Sequence, residues 1–169
     1  MTTQLEQARV RFLATLEIVR RELNVLKYSH EKLFSFSVDR AWVESLDNNM
    51  KAAETLEAFV SRFGRLQDTI GDKLIPRALT ALAEHPGSML DNLNKAERLH
   101  WLEDVNAWLS ARELRNKLVH EYMTDENQFA KDINSSAQFY TMFHQVYLEL
   151  LKVAEKNFGV TENELREYL

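Results

Sequence analysis

Apolar residues recur along this chain at alternating steps of three and four, a rhythm that permits helices and little else. Leu5, Phe12, Leu16, Val19, Leu23 and Leu26 put one apolar stripe on a first helix over roughly 3–30. Thr3 with Glu6 has the capping-box spacing at its start. Residues 34–39 break the rhythm and read as a connection. Val43, Leu46, Met50, Ala53, Leu56, Val60, Phe63, Leu66, Ile70 and Leu74 resume it as a second, longer helix, which Pro76 is expected to kink or end. His85-Pro86-Gly87-Ser88 is a turn. A third helix is expected to open at Asn94, with Glu97 three positions on, and to run to about Tyr122. Asp125 with Gln128 opens a fourth, carrying Phe129, Ile133, Tyr140, Phe143, Tyr147, Leu150 and Ala154. Gly159 ends it, and Thr161 with Glu164 starts a short last helix. Four glycines and two prolines leave little punctuation for a sheet-rich fold. The expected architecture is therefore all-α: an antiparallel, up-and-down four-helix bundle with a short extra C-terminal helix, forming one domain over 1–169. Heptad-like spacing also suits a coiled coil, but the interrupting turns favour a compact bundle.

Composition narrows the function classes. With 45% hydrophobic and 28% charged residues the chain reads as globular and not disordered. The absence of cysteine excludes disulfides, thiolate catalysis and cysteine-ligated zinc, and fits a reducing compartment. Residues 1–6 lack the basic and apolar regions of a signal peptide, and no apolar run approaches the ~20 residues that span a bilayer. The expectation is a cytoplasmic protein with no membrane partner. A net charge of −5 argues against broad, salt-driven binding to nucleic acid. Arg98, Arg112, Arg115 and Lys117 could still focus a phosphate locally, although Glu97, Glu103, Asp104, Glu113 and Glu121 dilute them.

The densest chemistry lies in Arg115-Asn116-Lys117-Leu118-Val119-His120-Glu121-Tyr122. It gathers a permanent cation, an amide, a group that titrates near neutrality and a phenol within about two helical turns. Guanidinium holds a phosphate through paired donors, while imidazole moves protons at physiological pH. The same residue types also finish ordinary helix ends, where the dipole favours cations.

Order and spacing go further. An Arg followed by a polar residue, a His five positions after the Arg and a Tyr two after the His resembles the R-x4-6-H motif of HEPN domains. More closely, it is similar to the RxxxxHxY form of HepT-type toxins. That resemblance implies a dimeric helical bundle acting as a metal-independent endoribonuclease, with no cofactor, whose Arg and His come together from two protomers. It further implies a toxin–antitoxin pair in which a cognate minimal nucleotidyltransferase silences the toxin by adding AMP to the motif tyrosine. On this chain the resemblance gives Arg115 the phosphate role and His120 the acid/base role. Asn116 takes the polar position, and Tyr122 becomes the modifiable phenol. Asn116, Tyr122 and Arg112 are expected to support the site by contacting RNA.

A helical wheel supplies a reading independent of any family. Trp101, Leu102, Val105, Trp108 and Leu109 define an apolar stripe over the first half of the expected third helix. Continued, the stripe meets Arg112, Arg115, Asn116, His120 and Tyr122, with only Val119 and Met123 apolar. Polar groups on a core-facing stripe are costly unless paired. The helix is thus expected to leave the core there and face a cleft or a second protomer, or else to satisfy those groups in a local network. Arg115 and His120 lie roughly 140° apart on a straight helix, so one protomer's pair does not naturally converge. A site shared across a two-fold axis removes that difficulty.

Other signals carry less. His144, between Tyr140 and Tyr147, reads as a packing residue, and His30, His85 and His100 have no partner at metal-ligand spacing, so no metal site is expected. Gly87-Ser88 followed by Asp91 lacks the paired Asp-x-Asp of a two-metal phosphoryl-transfer site. The stretch from Arg62 to Asp68 could face the motif across the bundle, although exposed helix charges explain it more simply. Trp101 and Trp108 read as core or dimer-interface residues. Two classes remain: a ribonuclease toxin, and a non-catalytic HEPN-like subunit that docks a nucleotide or a partner for a minimal nucleotidyltransferase.

Overall fold

The structure, a computed structural model, describes residues 3–120 and 125–169; of His120 it describes the backbone alone. Every regular element among the described residues is a helix, and none of them forms a strand. Helix α1 (Gln4–Leu33) starts at the expected capping box: the Thr3 hydroxyl accepts from the Glu6 N–H, and the Glu6 carboxylate accepts from the Thr3 N–H. Its buried face, Phe12, Leu13, Leu16, Val19, Leu23, Leu26 and Leu33, repeats the apolar stripe of the sequence. After the 34–39 connection, Asp39 caps the short α2 (Arg40–Glu44) by accepting from Trp42 N–H, and a 3-10 turn (Ser45–Asn48) follows.

The second long helix is built differently from expectation. Helix α3 (Met50–Asp68), capped by Asn49, runs without a break into a π-helical segment (Thr69–Leu74) and then α4 (Ile75–Ala81). Pro76 neither ends nor interrupts this run. It follows directly on the wider π turn, which lies just before it in the run. The helix ends instead at Ala81, and Ala83 just beyond it adopts the left-handed backbone (φ 61°) that closes the last turn.

The expected third helix is two helices. Helix α5 (Met89–Arg98) opens earlier than Asn94, at a capping box of Ser88 and Asp91. The Gly87-Ser88-Asp91 signal is thus a helix start, clamped further by Asn92, which accepts from Gly87 N–H at 2.8 Å. The chain breaks at 99–104 and resumes as α6 (Val105–His120). No glycine or proline marks the break. His100 adopts the left-handed conformation (φ 63°) usually given to glycine, while Trp101 and Leu102 turn into the core from a non-helical segment. Helix α7 (Glu126–Phe158) begins at Asp125, which accepts from Gln128 N–H, and ends at Gly159 (φ 64°), both as expected. The last element is a 3-10 helix (Glu162–Tyr168) behind the Thr161–Glu164 box.

Helix α1 packs against α3 and α4 and also against α7 and the terminal 3-10 helix, while α6 lies on α7 and α3. Aromatic rings join these layers: Phe63 to Phe143 at 5.1 Å, Trp108 to Phe143 at 5.5 Å and Phe59 to Phe63 at 5.8 Å between centroids. No helix among the described residues is long and apolar enough to cross a membrane.

One half-buried histidine couples this packing to pH. His30 lies among Phe34, Phe59 and Tyr140, with no hydrogen-bond partner for its Nδ1 among the described residues. Burial pushes its pKa below the ordinary 6.5. The unfolded chain therefore takes up a proton below about pH 6.5 while the folded imidazole resists it, so stability falls as pH drops through that value. Urea denaturation across about pH 7.5 to 5 should show this loss, and His30→Phe should flatten it. An unchanged slope in the variant would remove His30 as the cause.

Candidate functional site

Helix α6 buries Val105, Trp108, Ala111, Leu114 and Leu118, so its apolar face continues to its last turn. The expected conversion of this stripe into a polar one at Arg112 does not occur. The expected stripe counted Trp101 and Leu102, which belong to the segment before the helix, and Leu109, which is exposed, beside the buried Val105 and Trp108. Arg112 and Asn116 are exposed on another side, and the Arg112 guanidinium reaches Met89 Sδ of α5 at 2.8 Å.

Arg115 sits at the edge of the buried face and crosses onto α3. Its guanidinium holds the Asp68 carboxylate with both arms, Nη2 to Oδ2 at 3.0 Å and Nη1 to Oδ1 at 3.5 Å. To get there it passes over Gly64, one turn before Asp68: a Cβ built at Gly64 would lie 2.9 Å from Arg115 Nε. A glycine inside a helix costs about 0.5–1 kcal/mol relative to alanine. Here it opens the gap through which Arg115 crosses.

Around this pair is a cleft of about 420 Å³ lined by Val60, Ser61, Gly64, Arg65, Asp68, Thr69, Asp72, Lys73, Arg115 and Val119. The π-helical segment supplies Thr69, Asp72 and Lys73, and such widened turns recur at functional sites. Behind it, the Thr69 hydroxyl lies 3.0 Å from Glu22 Oε1 of α1 and 2.9 Å from the Arg65 carbonyl. Burial raises the Glu22 pKa, opposed by the Thr69 hydrogen bond and by the charges of Arg65 and Lys73. An apolar groove of about 330 Å³ adjoins the cleft through Val60, Ser61 and Val119 and continues over Leu56, Leu118 and Phe129.

Of the motif residues whose side chains are described, Arg115 lies in this cleft, while Arg112 and Asn116 lie elsewhere. The His120 side chain and all of Tyr122 lie outside the described residues. The stretch from Arg62 to Asp68 divides. Gly64, Arg65 and Asp68 do face the motif, whereas Arg62 turns to α1 and donates to Val25 O and Ser29 Oγ. Sequence reasoning missed Thr69, Lys73 and Glu22. The one legible signal was Gly64, a glycine in the middle of an amphipathic helix that no turn requires.

Three cations around an open cleft can hold a phosphate-sized anion if Asp68 yields Arg115. An exposed ion pair contributes about 0–1 kcal/mol, and the Asp68 side chain is 51% exposed, so the pair opens at little cost. Among the described residues no group of three or more His, Asp or Glu is placed to hold a metal ion. The chain matches no family model, no curated protein and no solved structure.

Gly64→Ala should separate the cleft from the fold. The gain in helix propensity and the loss of a weak pair nearly cancel, so stability should change by under about 1 kcal/mol. The added methyl should push Arg115 off Asp68 and lower anion affinity. Unchanged phosphate binding in this variant, followed by NMR, would show that Arg115 works from another position.

Proposed function

We propose that this chain is a HEPN-like ribonuclease of the HepT type, in which Arg115 holds the scissile phosphate and His120 transfers the proton. The observation that carries this reading is the position of Arg115, at an open cleft beside Arg65, Lys73 and Thr69 and not sealed in the core. The reaction is attack of a ribose 2′-hydroxyl on the adjacent phosphate, expelling the 5′-oxygen and leaving a 2′,3′-cyclic phosphate. His120 serves as general acid/base, and the guanidinium neutralises charge growing on the phosphate oxygens.

The finer parts follow from the motif. The long helices form an antiparallel four-helix arrangement, and two chains pair so that Arg115 of one meets His120 of the other, since the two are about 140° apart on one helix. The exposed apolar groove beside the cleft supplies surface for that pairing or for a base. AMP placed on Tyr122 by a cognate nucleotidyltransferase would add negative charge that competes for Arg115. The protein acts in the cytoplasm as the toxin of a toxin–antitoxin pair.

One observation favours the second reading, a non-catalytic subunit that docks nucleotide. The Arg115 fork already has a carboxylate, and Arg112 and Asn116 stand away from it. A complementation experiment separates the two. The protein should cleave RNA in EDTA and sediment at about twice 19.8 kDa. Arg115→Ala and His120→Ala should each be inactive alone, and mixing them with subunit exchange should restore cleavage through one intact shared site. RNA binding without cleavage by the wild-type protein would leave the docking subunit as the reading.

A further inference from the structure

A cavity of about 700 Å³ lies where the 99–104 segment meets α7, a volume within the ~300–1,000 Å³ range of small-molecule sites. It is held open by a segment pinned at both ends. The His100 N–H donates to the Glu97 carbonyl at 3.0 Å and the Trp101 N–H to the Ala96 carbonyl at 2.9 Å, closing α5 around a left-handed His100. On the far side, Glu97 Oε2 accepts from the Val105 N–H at 2.7 Å, which fixes the start of α6. A non-glycine residue in that left-handed conformation costs roughly 1–2 kcal/mol, which the buried Trp101 and Leu102 on its C-terminal side offset.

The lining has two characters. Trp101, Leu102, Phe139, Met142 and Val146 are apolar, while Glu97, Glu103, Asp104 and Glu149 bring four carboxylates. Among the described residues, no lysine or arginine lines the cavity and His100 is its one basic residue. Lys152 reaches Glu149 at 3.0 Å, so that carboxylate is compensated. Glu97, Glu103 and Asp104 have no ion-pair partner among the described residues. Carboxylates beside an apolar wall attract a cation more strongly than they would in open water. An anion is repelled there, and a wholly apolar ligand would strip water from the carboxylates with nothing in return.

We propose that this cavity binds a small organic cation, a protonated amine carried on an apolar ring or chain. The apolar part lies against Trp101, Phe139 and Met142, and the ammonium faces Glu103 and Asp104. The site stands apart from the Arg115 cleft, about 12 Å further along α6 judged from Ala107 to Arg115, and does not depend on the ribonuclease reading.

The test is a titration of the full chain, ¹⁵N-labelled, with phenethylammonium, ethylammonium and phenylacetate. Phenethylammonium should shift amides at 100–104 and 138–149 and saturate with a Kd of about 1 mM or below. Ethylammonium, lacking the ring, should bind about tenfold more weakly or worse, and phenylacetate should give no saturable shift there. Glu103→Lys, at an exposed position, should weaken phenethylammonium about tenfold. Thr141→Trp, filling the space from α7, should abolish binding while the remaining amide spectrum stays in place. Equal shifts from phenylacetate, unchanged affinity in Glu103→Lys, saturation at a different surface, or no saturation by about 10 mM would each overturn the proposal.

Discussion

His120→Ala and Arg115→Ala are each expected to lower RNA cleavage by ~10²–10⁴-fold, which is about 3–5 kcal/mol of transition-state stabilisation. Neither change should unfold the chain. Removing Arg115 leaves the Asp68 carboxylate half exposed to water and deprives α3 and α6 of a surface pair worth at most about 1 kcal/mol. Cleavage of an end-labelled RNA, with circular dichroism as the control for folding, measures both quantities. Arg115→Lys should recover little, because an ammonium cannot hold a phosphate through two parallel donors. Asp68→Asn should do the opposite of the alanine variants, freeing the guanidinium and tightening phosphate binding. Full activity in His120→Ala would end the ribonuclease assignment. Loss of activity accompanied by loss of helicity would show that the Arg115–Asp68 pair holds the fold and not the substrate.

The largest expected effect on stability belongs to Trp108. Its side chain is 1% exposed and meets Phe143 of α7 with ring centroids 5.5 Å apart. On the other side it lies against the π-helical segment, where a Cβ added to Gly71 would come within 3.2 Å of its ring. Trp108→Ala should therefore open a cavity shared by α6, α7 and the π turn, at a cost of about 3–5 kcal/mol. Domains of this size are stable by only about 5–15 kcal/mol. Thermal unfolding should shift down by about 6–20 °C, since each kcal/mol moves the midpoint by about 2–4 °C at this chain length. A shift below about 1 kcal/mol in denaturant titration would mean that the helices close over the gap. Gly71→Ala tests the same contact from the other side, by overpacking against a ring that has little room to move.

Three helix starts were legible from side chains within a few residues, whereas the Ser88–Asp91 box that opens α5 was passed over for Asn94. Thr3 with Glu6, Asp125 with Gln128 and Thr161 with Glu164 cap as their spacing implies, and Gly159 takes the left-handed turn that stops α7. Pairings of this kind are local, made within one turn of the chain. The break at 99–104 was illegible for the converse reason. Trp101 and Leu102 are apolar in either arrangement, and His100 turns the chain without the glycine that would have flagged it. A wheel drawn straight across that break puts Arg112 and Asn116 on the apolar stripe, whereas both are exposed. Ala111, Leu114 and Leu118 hold the buried face instead.

The apolar rhythm and the scarcity of glycine and proline were enough to require helices, because burying a stripe of period near 3.6 is a property of each segment alone. The residues 115–122 likewise carry their chemical types in any fold. Which of those types meet was decided between segments. Arg115 reaches Asp68 only because α6 lies on α3 with Gly64 beneath its side chain, and Thr69 and Lys73 join the cleft only because a π turn widens the helix there. Those contacts link residues more than forty positions apart, and their geometry is set by packing angles and helix phase that no local spacing encodes.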